Sequence, residues 1–160
     1  MVGDASGDRE RGFWWRAGVV WAAIALFVLA LCLPAVRIDD GARDPGRTID
    51  LTLGSRSGWW VFWVGLLYLG PDWRFVTWLA NPAFGLAAVF LLAGRARAAA
   101  GCGTLAVGLG AVSWVAVGGE PGRWLLAGYY VWQAAHLLVA LAAWWWVVRG
   151  TPSHPTRPGG

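Results

Sequence analysis

The chain has 160 residues, a single-domain length, with 58% apolar and only 14% charged residues. Soluble domains average about 25% charged residues, so this pool cannot build a water-facing surface. The net charge of +4 comes from arginine alone, and the arginines stand at segment ends rather than in one basic stripe, which argues against nucleic-acid binding. The absence of Lys beside abundant Ala, Gly and Arg reads as a GC-rich coding bias and points to a bacterial source.

Four stretches, 17–36, 75–94, 98–118 and 124–148, contain no Asp, Glu, Arg or Lys. Each is about as long as the roughly 20 apolar residues that a helix needs to cross a bilayer. The expected fold is therefore an all-α membrane protein, a bundle of four transmembrane helices within 13–149. Residues 1–12 and 150–160 are read as flexible cytoplasmic termini.

Arg9, Arg11 and Arg16 precede the first stretch. The run from Ala17 to Val36 is longer than the 7–15 residue core of a signal peptide, and no clear A-x-A site follows it. An uncleaved first span is expected. Leu29-Ala30-Leu31-Cys32 has a lipoprotein-like outline, but Leu31 occupies a position that requires a small residue.

In 36–53 two segments alternate polar and apolar residues, Val36-Arg37-Ile38-Asp39 and Thr48-Ile49-Asp50-Leu51-Thr52-Leu53, with Asp40-Gly41 and Asp44-Pro45-Gly46 as turn signals between them. This pattern predicts a small extracytoplasmic β-hairpin. The four aspartates of the loop do not match the spacing of an EF-hand.

Residues 58–70 are uncharged, yet 13 helical residues cover only ~20 Å against a hydrocarbon core of ~30 Å. They are expected to form a short outer-leaflet helix, interfacial or re-entrant. Arginine counting supports this. With four spans and the N-terminus inside, Arg9, Arg11, Arg16, Arg95, Arg97, Arg149 and Arg157 lie inside, and six arginines lie outside among six acids. With a fifth span and the same N-terminus, five arginines stay in and eight go out. The positive-inside rule therefore favours four spans with both termini cytoplasmic in a bacterial inner membrane. A five-span chain with its N-terminus outside also satisfies the rule. Trp14, Trp15 and Trp144–Trp146 then share the inner interface, and Trp73, Trp78, Trp114 and Trp124 fall near the outer one.

In the second span, Asn81 precedes Pro82. Either Pro82 begins a helix with Asn81 as its cap, or one helix runs through with a kink. In the third, Ala99/Gly103 and Ala106/Gly110 are small-xxx-small pairs, which place this helix at the centre of the bundle. Arg95-Ala96-Arg97 leaves room only for a tight turn between spans two and three.

The fourth span carries Tyr129, Gln133 and His136 at i, i+4 and i+7, hence on one face. Ionisable groups at membrane depth face the bundle interior. Asn81, Tyr129, Gln133 and His136 are the candidate polar intramembrane site, with at least one member of the fourth-span face expected to bond span two near Asn81. The bland alternative is helix–helix glue. No catalytic residue is singled out, because the chain has no P-loop, HExxH or GxSxG. No cofactor or metal is expected: the only other His is His154, in the tail, so a bis-His haem lacks its second ligand. Cys32 and Cys102 fall at depths ~15 Å apart, beyond the ~7 Å Cα limit of a disulfide.

Trp78-Leu79-Ala80-Asn81-Pro82 and Gly128-Tyr129-Tyr130-Val131-Trp132, with Gly58-Trp59 upstream, resemble a loose set of small, uncharacterised bacterial inner-membrane proteins with four helices. The likeness covers 58–135. It implies a four-helix bundle, makes Asn81 and Tyr129 positions to test, and implies no activity.

The absence of a catalytic constellation points to a non-enzymatic accessory or assembly subunit. The alternative is a small oligomeric transporter or channel with a polar path past Asn81, Gln133 and His136. A membrane enzyme using His136 with a Tyr ranks last. The expected partners are the lipid bilayer and other membrane proteins or a second copy of the chain, with no nucleic acid.

Overall fold

The structure, a computed structural model, describes residues 5–38, 54–67, 73–116 and 125–149. Helix α1 runs over Ala5–Cys32. Strands β1, Pro34–Ile38, and β2, Gly54–Ser57, follow, then helix α2, Gly58–Leu67. A 3₁₀ segment, Trp73–Leu79, leads into α3, Ala80–Leu92. Helices α4, Ala96–Ala116, and α5, Ala127–Arg149, complete the described chain. Gly12–Cys32, Ala96–Val115 and Ala127–Arg149 are long and apolar enough to cross a membrane, which fits a membrane-embedded protein. Val76–Leu92 and Gly58–Leu67 are shorter apolar helices.

The burial pattern is inverted relative to a soluble bundle. Ala23, Ala87, Ala99, Ala106, Ala135 and Ala143 are fully buried, whereas Trp21, Leu86, Val89, Leu105 and Leu141 lie on the outside. Small residues let helix backbones approach, and large apolar side chains on the exterior suit lipid better than water. The two small-xxx-small pairs of α4 show the effect. Ala99, Gly103, Ala106 and Gly110 are all buried. A Cβ on Gly103 would stand 2.9 Å from Ala140 Cα of α5, and one on Gly110 would collide with the Gln133 amide. Gly101 and Gly108, on the other side of α4, face open space. Helix α4 packs on both α3 and α5, and α5 also packs along α1.

The first span was expected to reach Val36. Helix α1 instead stops at Cys32, because Pro34 has no N–H to continue it and the chain turns into β1. Strand β1 pairs antiparallel with β2 through Val36–Arg56, Arg37–Ser55 and Ile38–Gly54, with an irregularity between Pro34 and Val36. The expected second strand, 48–53, lies outside the described residues, and the partner that β1 takes is Gly54–Ser57. On its other side β1 bridges Leu125, and Leu126 N–H donates to Ala35 C=O at 2.9 Å. The end of α1 is thus stitched to the starts of both α2 and α5.

The second apolar stretch resolves into two helix types. Pro82 is the third residue of α3, inside the first turn, where its missing N–H leaves no vacancy. Upstream of it the chain runs as a 3₁₀ helix rather than as a kinked α-helix. Leu79, not Asn81, is the cap residue, and no side chain caps this end. The turn after α3 is tight, as expected, with Gly94 at φ +74°, a backbone region that glycine occupies without strain.

Candidate functional site

The three motif segments converge. Gly58, Trp78, Asn81, Gly128, Tyr129 and Trp132 all line one cleft of about 440 Å³ near the C-terminus of α1 and the N-terminus of α5. That volume falls within the roughly 300–1,000 Å³ of small-ligand sites. Its walls come from α1, β1, α2, the 3₁₀ segment, the start of α3, α4 and α5, and most of them are apolar.

Glycines make the closure possible. A Cβ on Gly58 would collide with the Ala30 carbonyl and stand 2.9 Å from Leu31 Cα. One on Gly128 would stand 2.9 Å from both the Leu33 and Pro34 carbonyl oxygens. Both glycines therefore press helix starts directly onto the backbone that leaves α1. Gly65 lets the Trp78 ring lie on α2, and Trp78 Nε1–H donates to the Phe62 carbonyl at 2.9 Å.

Asn81 and α5 do meet, but through Trp132. Trp132 Nε1–H donates to Asn81 Oδ1 at 2.9 Å. Tyr129 and Gln133 turn instead to α4: Tyr129 Oη–H donates to the Gly110 carbonyl at 3.0 Å, and Gln133 Nε2–H to the Val107 carbonyl at 3.0 Å. The bond to the Asn81 side chain itself is therefore made by the neighbouring Trp132, while His136 of the expected face meets the adjoining Ala80 backbone. Helical spacing places residues on one face, but it does not say which neighbour that face meets.

His136 sits apart from the cleft and is fully buried. Its ring is enclosed by Trp132, Phe84 and Phe27, with ring centroids at 4.4, 5.0 and 6.4 Å. Its Nδ1 lies 2.7 Å from the Trp132 carbonyl. A carbonyl only accepts, so Nδ1 carries the proton; Nε2 is buried with no hydrogen bond of good geometry, and the Ala80 backbone of α3 is the ring's other polar neighbour. Asn81, Gln133 and His136 thus face three different surroundings: the cleft, the α4 backbone and an aromatic cage. Cys32 is free and exposed, and Cys102 is free and half-buried.

Trp132, Gly58 and Gly128 are the site residues that the polar-residue reading passed over. Their signal was present in the motifs themselves, each of which joins a glycine or proline to an indole. No protein-family model, curated protein or solved structure matches this chain.

Proposed function

We propose that the chain is a four-span protein of the bacterial inner membrane, both termini cytoplasmic, that acts as a non-enzymatic accessory or assembly subunit. In this reading the cleft receives an apolar segment of another membrane protein. The observation that carries it is the convergence of all three motif segments on one largely apolar cleft. Such a cleft suits a hydrophobic side chain or helix, with the Asn81 amide as its polar anchor.

Length supports the fourth crossing. Seven 3₁₀ residues and thirteen α-residues together rise ~33 Å, enough for a ~30 Å hydrocarbon core. Exposed indoles support two interfaces. Trp14, Trp15, Trp144 and Trp145 ring one end of the bundle, and Trp59, Trp60, Trp63 and Trp114 the other. Against a pore, Tyr129 and Gln133 of α5 donate to α4 carbonyls and His136 lies inside a ring cage, rather than all three lining one path.

Photo-crosslinking residues placed at Val61 or Ser113, on the cleft wall, should trap one discrete membrane protein. The same residue at lipid-facing Leu141 should not. Reporters fused to the two termini should both read cytoplasmic. Crosslinks to lipid alone would overturn the assembly role. So would proteoliposome flux that depends on Gln133 and His136, which would establish the transporter.

A further inference from the structure

The opposite end of the bundle holds a second cavity, of about 530 Å³, lined by Arg16, Arg95 and Arg97. We propose that it binds a net-negative phosphate group, that of an anionic phospholipid headgroup. It is independent of the cleft and shares no residue with it.

The three guanidinium groups come from two distant parts of the chain, α1 and the α3–α4 turn. The positive-inside bias puts all three on one side of the membrane, but like charges repel, and that bias does not require them to share one cavity. Among the described residues none of the three meets a carboxylate. Glu10 is the one acid whose side chain is described, and it is exposed.

Arg16 is held in place. Its Nε–H donates to the Gly12 carbonyl at 3.1 Å, and its guanidinium lies 5.3 Å from the Trp146 ring centroid. One of its terminal nitrogens lies over Gly94, where a Cβ would stand only 2.9 Å from it. Gly94 therefore serves twice: its positive φ makes the turn, and its bare Cα admits the arginine. A guanidinium fixed in this way loses little freedom on binding and presents the planar fork that matches phosphate oxygens.

Arg95 and Arg97 are exposed around the same opening. Between and beyond them Ala96 and Ala98 line the cavity with the first turn of α4.

The surroundings favour a lipid as the source of the phosphate. Leu91, Trp146 and Val147 form the rest of the wall, and exposed Trp14, Trp15, Trp144 and Trp145 place this end at headgroup level. Basic pockets between helices at this level bind anionic headgroups.

The test uses the full chain in an uncharged maltoside detergent. Short-chain phosphatidylglycerol, short-chain phosphatidylcholine and inorganic phosphate are titrated separately, with binding read by thermophoresis. Phosphatidylglycerol should bind at least 10-fold tighter than phosphatidylcholine. Arg95→Gln and Arg97→Gln, both exposed and foldable, should each weaken it several-fold, and the triple variant with Arg16→Gln at least 10-fold. Arg149→Gln, whose guanidinium stacks on Trp145 at 3.9 Å, should leave it unchanged. Inorganic phosphate should compete only weakly. Tight phosphate binding without phosphatidylglycerol binding would overturn the lipid source. Equal binding of the two lipids, or an equal loss in Arg149→Gln, would overturn the site.

Discussion

Three glycines of one helix permit a test in which the chemical change is constant and only the neighbour differs. Gly101, Gly103 and Gly108 all lie inside α4. Replacing any of them with Ala removes the backbone freedom that disfavours glycine in a helix, a gain of up to ~1 kcal/mol. At Gly101 and Gly108 the new methyl meets nothing within 4 Å, so the gain stands. At Gly103 it would stand 2.9 Å from Ala140 Cα, 3.0 Å from Ala140 Cβ and 3.3 Å from Ala140 N. These are backbone and near-backbone atoms that no rotamer change can move, so α5 as a whole has to shift. Overpacking of this kind costs ~1–3 kcal/mol. The expected gap between Gly103→Ala and the other two variants is therefore about 1–3 kcal/mol, roughly 5- to 150-fold in the folding equilibrium. Unfolding of the purified protein in mixed micelles by added SDS measures it directly. Three indistinguishable variants would refute the close α4–α5 packing on which the bundle rests.

Asn81→Ala and Trp132→Phe should each destabilise slightly, and a double-mutant cycle between them should give a coupling of ~0.6–1.7 kcal/mol, the range measured for hydrogen bonds inside membranes. Zero coupling would remove the link between the two motifs. His136→Leu should stay within ~1 kcal/mol of the parent protein, because the loss of the Nδ1 bond to the Trp132 carbonyl is offset by removing a buried ring nitrogen that makes no well-formed hydrogen bond. His136→Asp, which buries a carboxyl among three rings, should abolish folded protein in the same micelles. Oxidation should form no Cys32–Cys102 bridge, with Cys32 reacting with maleimide faster than Cys102; a band shift lost in Cys32→Ser and equally in Cys102→Ser would contradict the separation of the two thiols.

The helices were legible because lipid demands long uncharged runs. The limits of α4 and α5 lie within three residues of those runs. The short reach of 58–70 was legible for the same reason: Gly58 and the Pro71-Asp72 pair bound it too tightly for a full crossing. The small-residue stripe of α4 also announced its role, since Ala99, Gly103, Ala106 and Gly110 recur on one face. What the pattern did not reveal was pairing. Alternation suggested strand character for Val36–Ile38, but its partner is Gly54–Ser57, a segment with no alternation, recruited because β2 leads directly into α2 at Gly58. Attention to polar residues singled out His136 and Gln133, yet the contact to Asn81 comes from Trp132, an indole named only as the last residue of a motif. The arginine cavity was invisible in the sequence for a similar reason. Arg16 stands far from Arg95 and Arg97 along the chain, and charge counting assigned all three to a side of the membrane rather than to a site.

Strand β1 has two neighbours, and they are synthesised at very different times. β2 emerges soon after β1 and can pair with it at once. The second neighbour, Leu125–Leu126, appears only after α2, α3 and α4 have been made. Until then the Ala35 carbonyl and the backbone against which Gly128 packs remain open at the end of α1. Helix α1 therefore gains its full set of contacts only when α5 arrives. A chain stalled anywhere before Leu125 leaves the end of α1 without the backbone contacts that α5 brings to it.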